Sequence, residues 1–198
     1  MASIDYFLST ISPFTYLAGD RLEQVAAKHG ATITYKPFDV VGNFARTGGT
    51  HPSERHDSRK TYRLQELKRI SKRQEMPINL QPAFWPTNPA PSSYAIIAAQ
   101  NAGGGNVGAL VRAFLAACWT EEKNIAEDEI VKDCLTAAGF DPELADSGLM
   151  VGAETFAANN EEAVTRGVFG APSYLVGNEV FWGQDRLSFL DDYLTETL

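Results

Sequence analysis

The hydrophobic pattern along the 198-residue chain changes period twice. Ile4-Asp5-Tyr6-Phe7-Leu8 reads as a first strand. From Phe14 onward, Phe14, Leu17, Ala18, Leu22, Val25 and Ala26 recur with a period of about 3.6, which predicts one helix with a single apolar stripe. Lys28-His29-Gly30 closes it, with glycine suited to the position just past a helix end. Thr32-Ile33-Thr34-Tyr35 then alternates as a second strand. Strand, crossover helix and strand in about forty residues predict a right-handed βαβ unit.

The end of the chain is patterned differently. Ser173-Tyr174-Leu175-Val176 and Glu179-Val180-Phe181-Trp182 flank Gly177-Asn178, the signature of a hairpin with a two-residue turn. Gly183-Gln184-Asp185-Arg186 opens a last helix, with Leu187, Leu190 and Leu194 on one face. Between the two blocks the text is helical: a basic helix around Tyr62 to Arg73, then helices over 92–102, 108–119, 128–138 and 152–165. A proline-rich connection, 81–91, joins the first two, and Gly103-Gly104-Gly105 lacks the Lys-Ser/Thr of a phosphate loop and reads as a terminator. The order βαβ…ββα predicts an α/β protein with a thioredoxin-like fold and a large all-helical insertion. The corresponding division is 1–40 with 167–198 for the sheet domain, and 41–166 for the insertion.

Charge narrows the functional classes. A net charge of −8 argues against nucleic acid as a partner. No apolar run approaches the ~18–20 residues that span a bilayer, so no membrane partner is expected. The N-terminus has no basic residue ahead of its short apolar stretch, unlike a secretory signal. Cys118 and Cys134 form no CxxC, and His29, His51 and His56 form no zinc pattern, so no metal is expected and a cytoplasmic, reducing location is inferred. Against the acidic average, eight of the 17 Lys and Arg residues lie between Arg55 and Arg73. That run is either a solvated helix face or a source of positive potential beside an anion site.

The most pointed chemistry lies at Ser12-Pro13, between the first strand and first helix. Serine is a good helix N-cap and proline a good first helical residue, so a structural account is complete by itself. The same serine stands at the positive end of the helix, where an anion is favoured. Pro172, just before the third strand, sits where thioredoxin-like folds keep a cis proline facing that helix, so Ala171-Pro172 is expected to be cis.

Ser12-Pro13-Phe14-Thr15-Tyr16-Leu17, Gly170-Ala171-Pro172-Ser173, Phe181-Trp182-Gly183-Gln184-Asp185-Arg186-Leu187 and Phe84-Trp85-Pro86-Thr87-Asn88-Pro89 together resemble the 2-hydroxychromene-2-carboxylate isomerases and the related kappa-class glutathione transferases. Both belong to the disulfide-bond oxidoreductase branch of the thioredoxin superfamily. The resemblance implies a homodimeric enzyme of aromatic catabolism with glutathione as cofactor. Its catalytic residue would be Ser12, whose hydroxyl would hydrogen-bond the glutathione sulfur and favour the thiolate. Ala171, before Pro172, would pair its backbone with the cysteinyl unit, and Trp182, Gly183, Gln184 and Asp185 would hold the γ-glutamyl end. The thiolate would add reversibly to the substrate, allow a bond to rotate, and be eliminated.

For the second substrate, an aromatic carboxylate, Phe44 and Trp85 are candidate walls and Arg55 a candidate carboxylate partner. Both aromatics serve equally well as core. The resemblance also implies an Asn in the first insertion loop, where Thr47-Gly48-Gly49-Thr50-His51-Pro52 has Gly49. It implies a basic residue shortly before Tyr62, for which Arg59 and Lys60 both qualify. A transferase or peroxidase of kappa-class type is the alternative activity, and a non-enzymatic peptide-binding module a more distant one. No cysteine lies between Ser12 and Thr15, against a disulfide oxidoreductase.

Overall fold

The computed structural model describes residues 2–197. A four-stranded sheet, in the order β2-β1-β3-β4, is built from β1 (Ser3–Leu8), β2 (Thr32–Pro37), β3 (Ser173–Val176) and β4 (Glu179–Trp182). β1 and β2 run parallel, in register from Ser3 with Thr32 to Leu8 with Pro37. β3 lies antiparallel to β1, and β4 antiparallel to β3 across the Gly177-Asn178 turn. β1 is buried on both faces, as a central strand must be. Ile4, Tyr6 and Leu8 face one apolar cluster, and Phe7 faces another with Phe38, Ala163, Val168 and Leu175.

The helix expected over 14–26 is two helices. α1 (Pro13–Tyr16) is a single turn, and α2 (Arg21–His29) follows after a break at Gly19. The apolar stripe runs through the break, so periodicity does not reveal it. Gly19 has φ 63°, a left-handed conformation open to glycine at little cost. The carbonyls released there are taken up by Arg21, whose Nη2 donates to Leu17 O at 2.8 Å and whose Nε donates to Ala18 O at 3.0 Å. Two local side-chain hydrogen bonds thus replace the helical ladder.

Between β2 and β3 come α3 (Val40–Arg46), a 3₁₀ turn (Pro52–Glu54), α4 (Asp57–Gln74), α5 (Ala90–Ala102), α6 (Val107–Trp119), α7 (Asp128–Ala137), α8 (Leu144–Ser147) and α9 (Leu149–Thr165). α3 and α8 are too short for a periodic signal and escaped the sequence reading. α5 and α9 pack against β2, so these helices cover the sheet as well as one another. The larger core joins β1 residues to Leu110, Phe114 and Trp119 of α6 and to Leu67 of α4. α10 (Leu187–Thr197) returns beside α2, with Leu187, Leu190 and Leu194 buried as its spacing predicts. Among the described residues, no helix is long and apolar enough to cross a membrane.

Candidate active site

Ser12 caps α1. Its Oγ accepts the Thr15 N–H at 3.2 Å and donates to Ala171 O, also at 3.2 Å, across 159 residues of chain. The residue is only 8% exposed. Because α1 is one turn long, the local N–H groups matter here more than any summed helix dipole. The Ala171-Pro172 bond is cis, and so is Trp85-Pro86, which the sequence did not suggest.

Four of the five carbonyls of segment 168–172 are pinned. Asn43 Nδ2 donates to Val168 O at 2.7 Å, Ser173 Oγ to Gly170 O at 2.8 Å, Ser12 Oγ to Ala171 O, and the Gly183 N–H to Pro172 O at 2.9 Å. The Ala171 N–H meets no acceptor among the described residues. Gly170 is required by contact: a Cβ there would lie 2.4 Å from Nε1 of Trp182. The Trp182 ring, half exposed, meets Phe169 edge-on at 4.7 Å.

Above this segment opens a cleft of about 1060 Å³. One wall is Ala171, the run Trp182 to Ser188, and Phe14; the other is α4. The cleft therefore joins Ala171, Trp182, Gly183, Gln184, Asp185 and Arg55 of the expected site, and the basic segment borders it. Ser12 and Pro172 do not line it; Ser12 is joined to it through its bond to Ala171 O. Phe44 and Trp85 are not at its surface. Each lies under an arginine, Arg55 at 5.2 Å from the Phe44 ring and Arg63 at 5.5 Å from that of Trp85. Trp85 also donates from Nε1 to Ile11 O at 3.0 Å, tying it to the turn before Ser12. Gly49, at the place of the implied Asn, packs on Phe44, where a Cβ would come within 2.9 Å of the ring.

Of the two basic residues left open before Tyr62, Arg59 lines the cleft, whereas Lys60 turns to Asp57 at 3.4 Å. Arg63 and Arg73, members of the basic run with no individual role in the sequence, line it too, as does Arg21, to which the sequence pointed in no way. For the first two, helical phase was the available signal. Arg59, Arg63, Glu66, Ile70 and Arg73 recur at steps of three and four, with Tyr62 beside Arg63, and share one face of α4. Gln184 is held by Arg21 Nη2 at 2.9 Å, and Asp185 pairs with Arg186 at 2.6 Å. Burial first, then the charge of Arg55, holds the Arg63 guanidinium below its ordinary pKa; burial and then Arg59 do the same to Arg55.

The cysteines stand apart from this chemistry. Burial pushes the Cys118 thiol up to about 12 and the Cys134 thiol to about 11. Neither supplies a thiolate at neutral pH. A shallower cavity of about 490 Å³, by Glu23, Tyr35 and the turn 105–108, shares no lining residue with the cleft. Among the described residues, no cluster of His, Cys, Asp and Glu is arranged to hold a metal.

Comparison with known proteins accords with this architecture. The family described as the DSBA-like thioredoxin domain matches residues 3–195. The 2-hydroxychromene-2-carboxylate isomerase of Sphingobium xenophagum is 29% identical over 197 residues, covering 98% of each chain. Glutathione S-transferase kappa 1 of Caenorhabditis elegans is 24% identical over 208 residues, covering 98% of this chain and 91% of its own. A solved 2-hydroxychromene-2-carboxylate isomerase superposes with a TM-score of 0.78 at 24% identity, over 98% of this chain and 95% of that one, a likeness of fold.

Proposed function

The chain belongs to the DSBA-like thioredoxin domain family, and from that premise we propose that it is a glutathione-dependent isomerase. Its substrates are of the 2-hydroxychromene-2-carboxylate type and its products of the trans-o-hydroxybenzylidenepyruvate type. The observation that carries the reading is Ser12 Oγ, set against Ala171 O beneath an arginine-lined cleft where disulfide chemistry would need a thiol. The isomerase name of a full-length relative supports it. The homodimer belongs to the same proposal and is measured by sedimentation.

The residues fit glutathione. The unmatched Ala171 N–H and the second lone pair of its carbonyl suit a cysteinyl backbone. Arg21 and Arg73 suit carboxylates, Asp185 an ammonium group, and Leu187 and Ser188, which open α10, bring N–H groups to the same end. When bound, glutathione supplies a thiol whose reversible addition to the conjugated substrate frees a bond to rotate.

Ser12 exchanges its donation to Ala171 O for donation to the sulfur, and keeps the Thr15 N–H as its own donor. A free thiol of pKa about 8.5 is only ~3% ionised at pH 7; lowering the pKa by about two units requires roughly 2.7 kcal/mol. A charge-assisted hydrogen bond of about 1.5–3 kcal/mol, with help from neighbouring N–H groups, reaches that. Arg55 and Arg63, backed by Phe44 and Trp85, orient the substrate carboxylate without contributing to bond changes. Trp182 and Phe169 shield the γ-glutamyl side from water.

The test is an absorbance assay with 2-hydroxychromene-2-carboxylate, with and without glutathione. Turnover that needs glutathione and returns it unconsumed is expected. Conversion unaffected by glutathione, or none, overturns the reading. The kappa-class relative favours one other activity, glutathione transfer to an electrophile, in which glutathione is consumed in proportion to product.

A further inference from the structure

The cleft carries more positive charge than glutathione and a single carboxylate can balance. Six arginines line it, against Glu66 and Asp185. Asp185 is paired with Arg186, and Glu66 is paired with Arg69, outside the cleft. Arg21, Arg55, Arg59, Arg63 and Arg73 have no carboxylate within ion-pair distance among the described residues. Glutathione with its sulfur ionised brings a net charge of about −2. Roughly three guanidinium charges then remain in a protein whose overall charge is −8.

Three of the five, Arg21, Arg55 and Arg63, are also partly buried, where unbalanced charge costs most. Arg63 and Arg55 rest on the rings of Trp85 and Phe44. Stacking uses the guanidinium faces and leaves N–H edges for a planar anion. Arg63 donates no hydrogen bond among the described residues; Arg55 spends only Nε, on Thr50 O at 3.0 Å. The mutual repulsion of Arg55, Arg59 and Arg63 is relieved by an anion set among them.

We propose, resting on the glutathione reading, that the second ligand of the cleft is an aromatic polyanion. It carries at least two anionic groups, held by the edges of Arg63 and its neighbours Arg55 and Arg59. Among isomerase substrates this selects a ring bearing a second carboxylate, sulfonate or phosphate over the parent monocarboxylate.

The test is calorimetric titration of benzoate, isophthalate and benzene-1,3,5-tricarboxylate into the protein saturated with S-methylglutathione, which binds but cannot react at sulfur. Affinity should rise about tenfold from mono- to dicarboxylate, and this step should shrink with added salt. Arg63→Gln should erase most of it. Arg55→Gln provides the same test should loss of the Trp85 stack unfold the first variant. Equal affinity for benzoate and isophthalate overturns the proposal, as does an unchanged step in a folded Arg63→Gln protein. Failure of S-methylglutathione to bind would sink the glutathione reading separately. The same titrations on the protein alone then decide the polyanion preference, a graded series supporting it and a flat one overturning it.

Discussion

The ion pairs behind the sheet and the arginines of the cleft are built from the same side chains in opposite ways. Where β1, β2 and α9 meet, Lys36 lies 2.7 Å from Glu162 and 3.8 Å from Asp5, and Arg166 reaches both carboxylates. Arg46 meets Glu161 at 2.7 Å nearby, and Lys28 meets Asp191 at 2.8 Å between α2 and α10. Each of these cations joins elements distant in sequence. On the cleft side, five arginines face the opening with aromatic rings, carbonyls and a glutamine as neighbours, and among the described residues no carboxylate is in ion-pair reach. Paired charges there fasten the fold; charges without carboxylates here are the ones we propose to hold a ligand. The lesson is that the count of basic residues says little until each is matched with its counter-ion.

The largest effect should come from the cleft floor. On the proposed glutathione mechanism, Ser12→Ala removes a charge-assisted hydrogen bond worth roughly 1.5–3 kcal/mol, which predicts turnover at neutral pH falling about 10- to 150-fold. It also removes the α1 cap, costing about 0.5–2 kcal/mol of stability. The two losses separate by pH. Activity should recover as pH rises and the thiol ionises unaided, whereas a folding defect would persist. A stable Ser12→Ala protein with near-normal turnover across pH 6 to about 9, at saturating glutathione, would reduce Ser12 to a cap.

How legible was this from the chain alone? Where a clear period marked it, local structure was. The alternation in β1, the Gly177-Asn178 turn and the leucine spacing of α10 each depend on neighbours within a few residues, and each appears where the pattern placed it. The break at Gly19 was hidden because Arg21 completes it from a position that reads as an ordinary helical residue. Arg63 was hidden for a related reason. Its aromatic partner lies 22 residues away, past a connection whose path no periodicity dictates. The eight basic residues were read as one charge run, although the helical phase of α4 divides those that line the cleft from Lys60, Lys68 and Lys72.

On the paired side, Arg166→Met leaves Asp5 and Glu162 with fewer partners and should cost about 1.5–3 kcal/mol of stability. At 2–4 °C per kcal/mol for a chain of this size, Tm should drop by roughly 3–12 °C, while the affinity for S-methylglutathione stays unchanged. An equal loss of ligand affinity in the folded variant would show that the two regions are coupled. Acid should act through the same carboxylates. Burial opposes ionisation of Glu162, but hydrogen bonds from Lys36 and Arg166 outweigh it and hold the carboxyl below its usual range. Its contribution is therefore complete above the unfolded pKa of about 4.3 and is lost as pH falls through the lower folded value. Glu162→Gln should lower Tm at pH 7 and lessen its decline on acidification below about pH 4. A variant whose Tm falls with acid as steeply as the parent's removes Glu162 from the account.

The smallest expected effect sharpens the comparison most. Lys68 is on α4, is exposed, and does not line the cleft, so Lys68→Gln deletes the same charge from the same helix as Arg63→Gln. A substitution at such a surface site should change stability by no more than about 0.5 kcal/mol. At physiological salt the screening length is about 8 Å, so a charge on the outer face contributes little to an anion held on the inner one. Isophthalate should therefore bind Lys68→Gln within about twofold of the parent, against roughly tenfold weaker for Arg63→Gln. Should both variants lose affinity equally, the helix acts only through its summed field, and the distinction between cleft-facing and outward-facing cations fails. Should Lys68→Gln matter at low salt alone, the outer charges steer anions toward the cleft and the inner ones hold them.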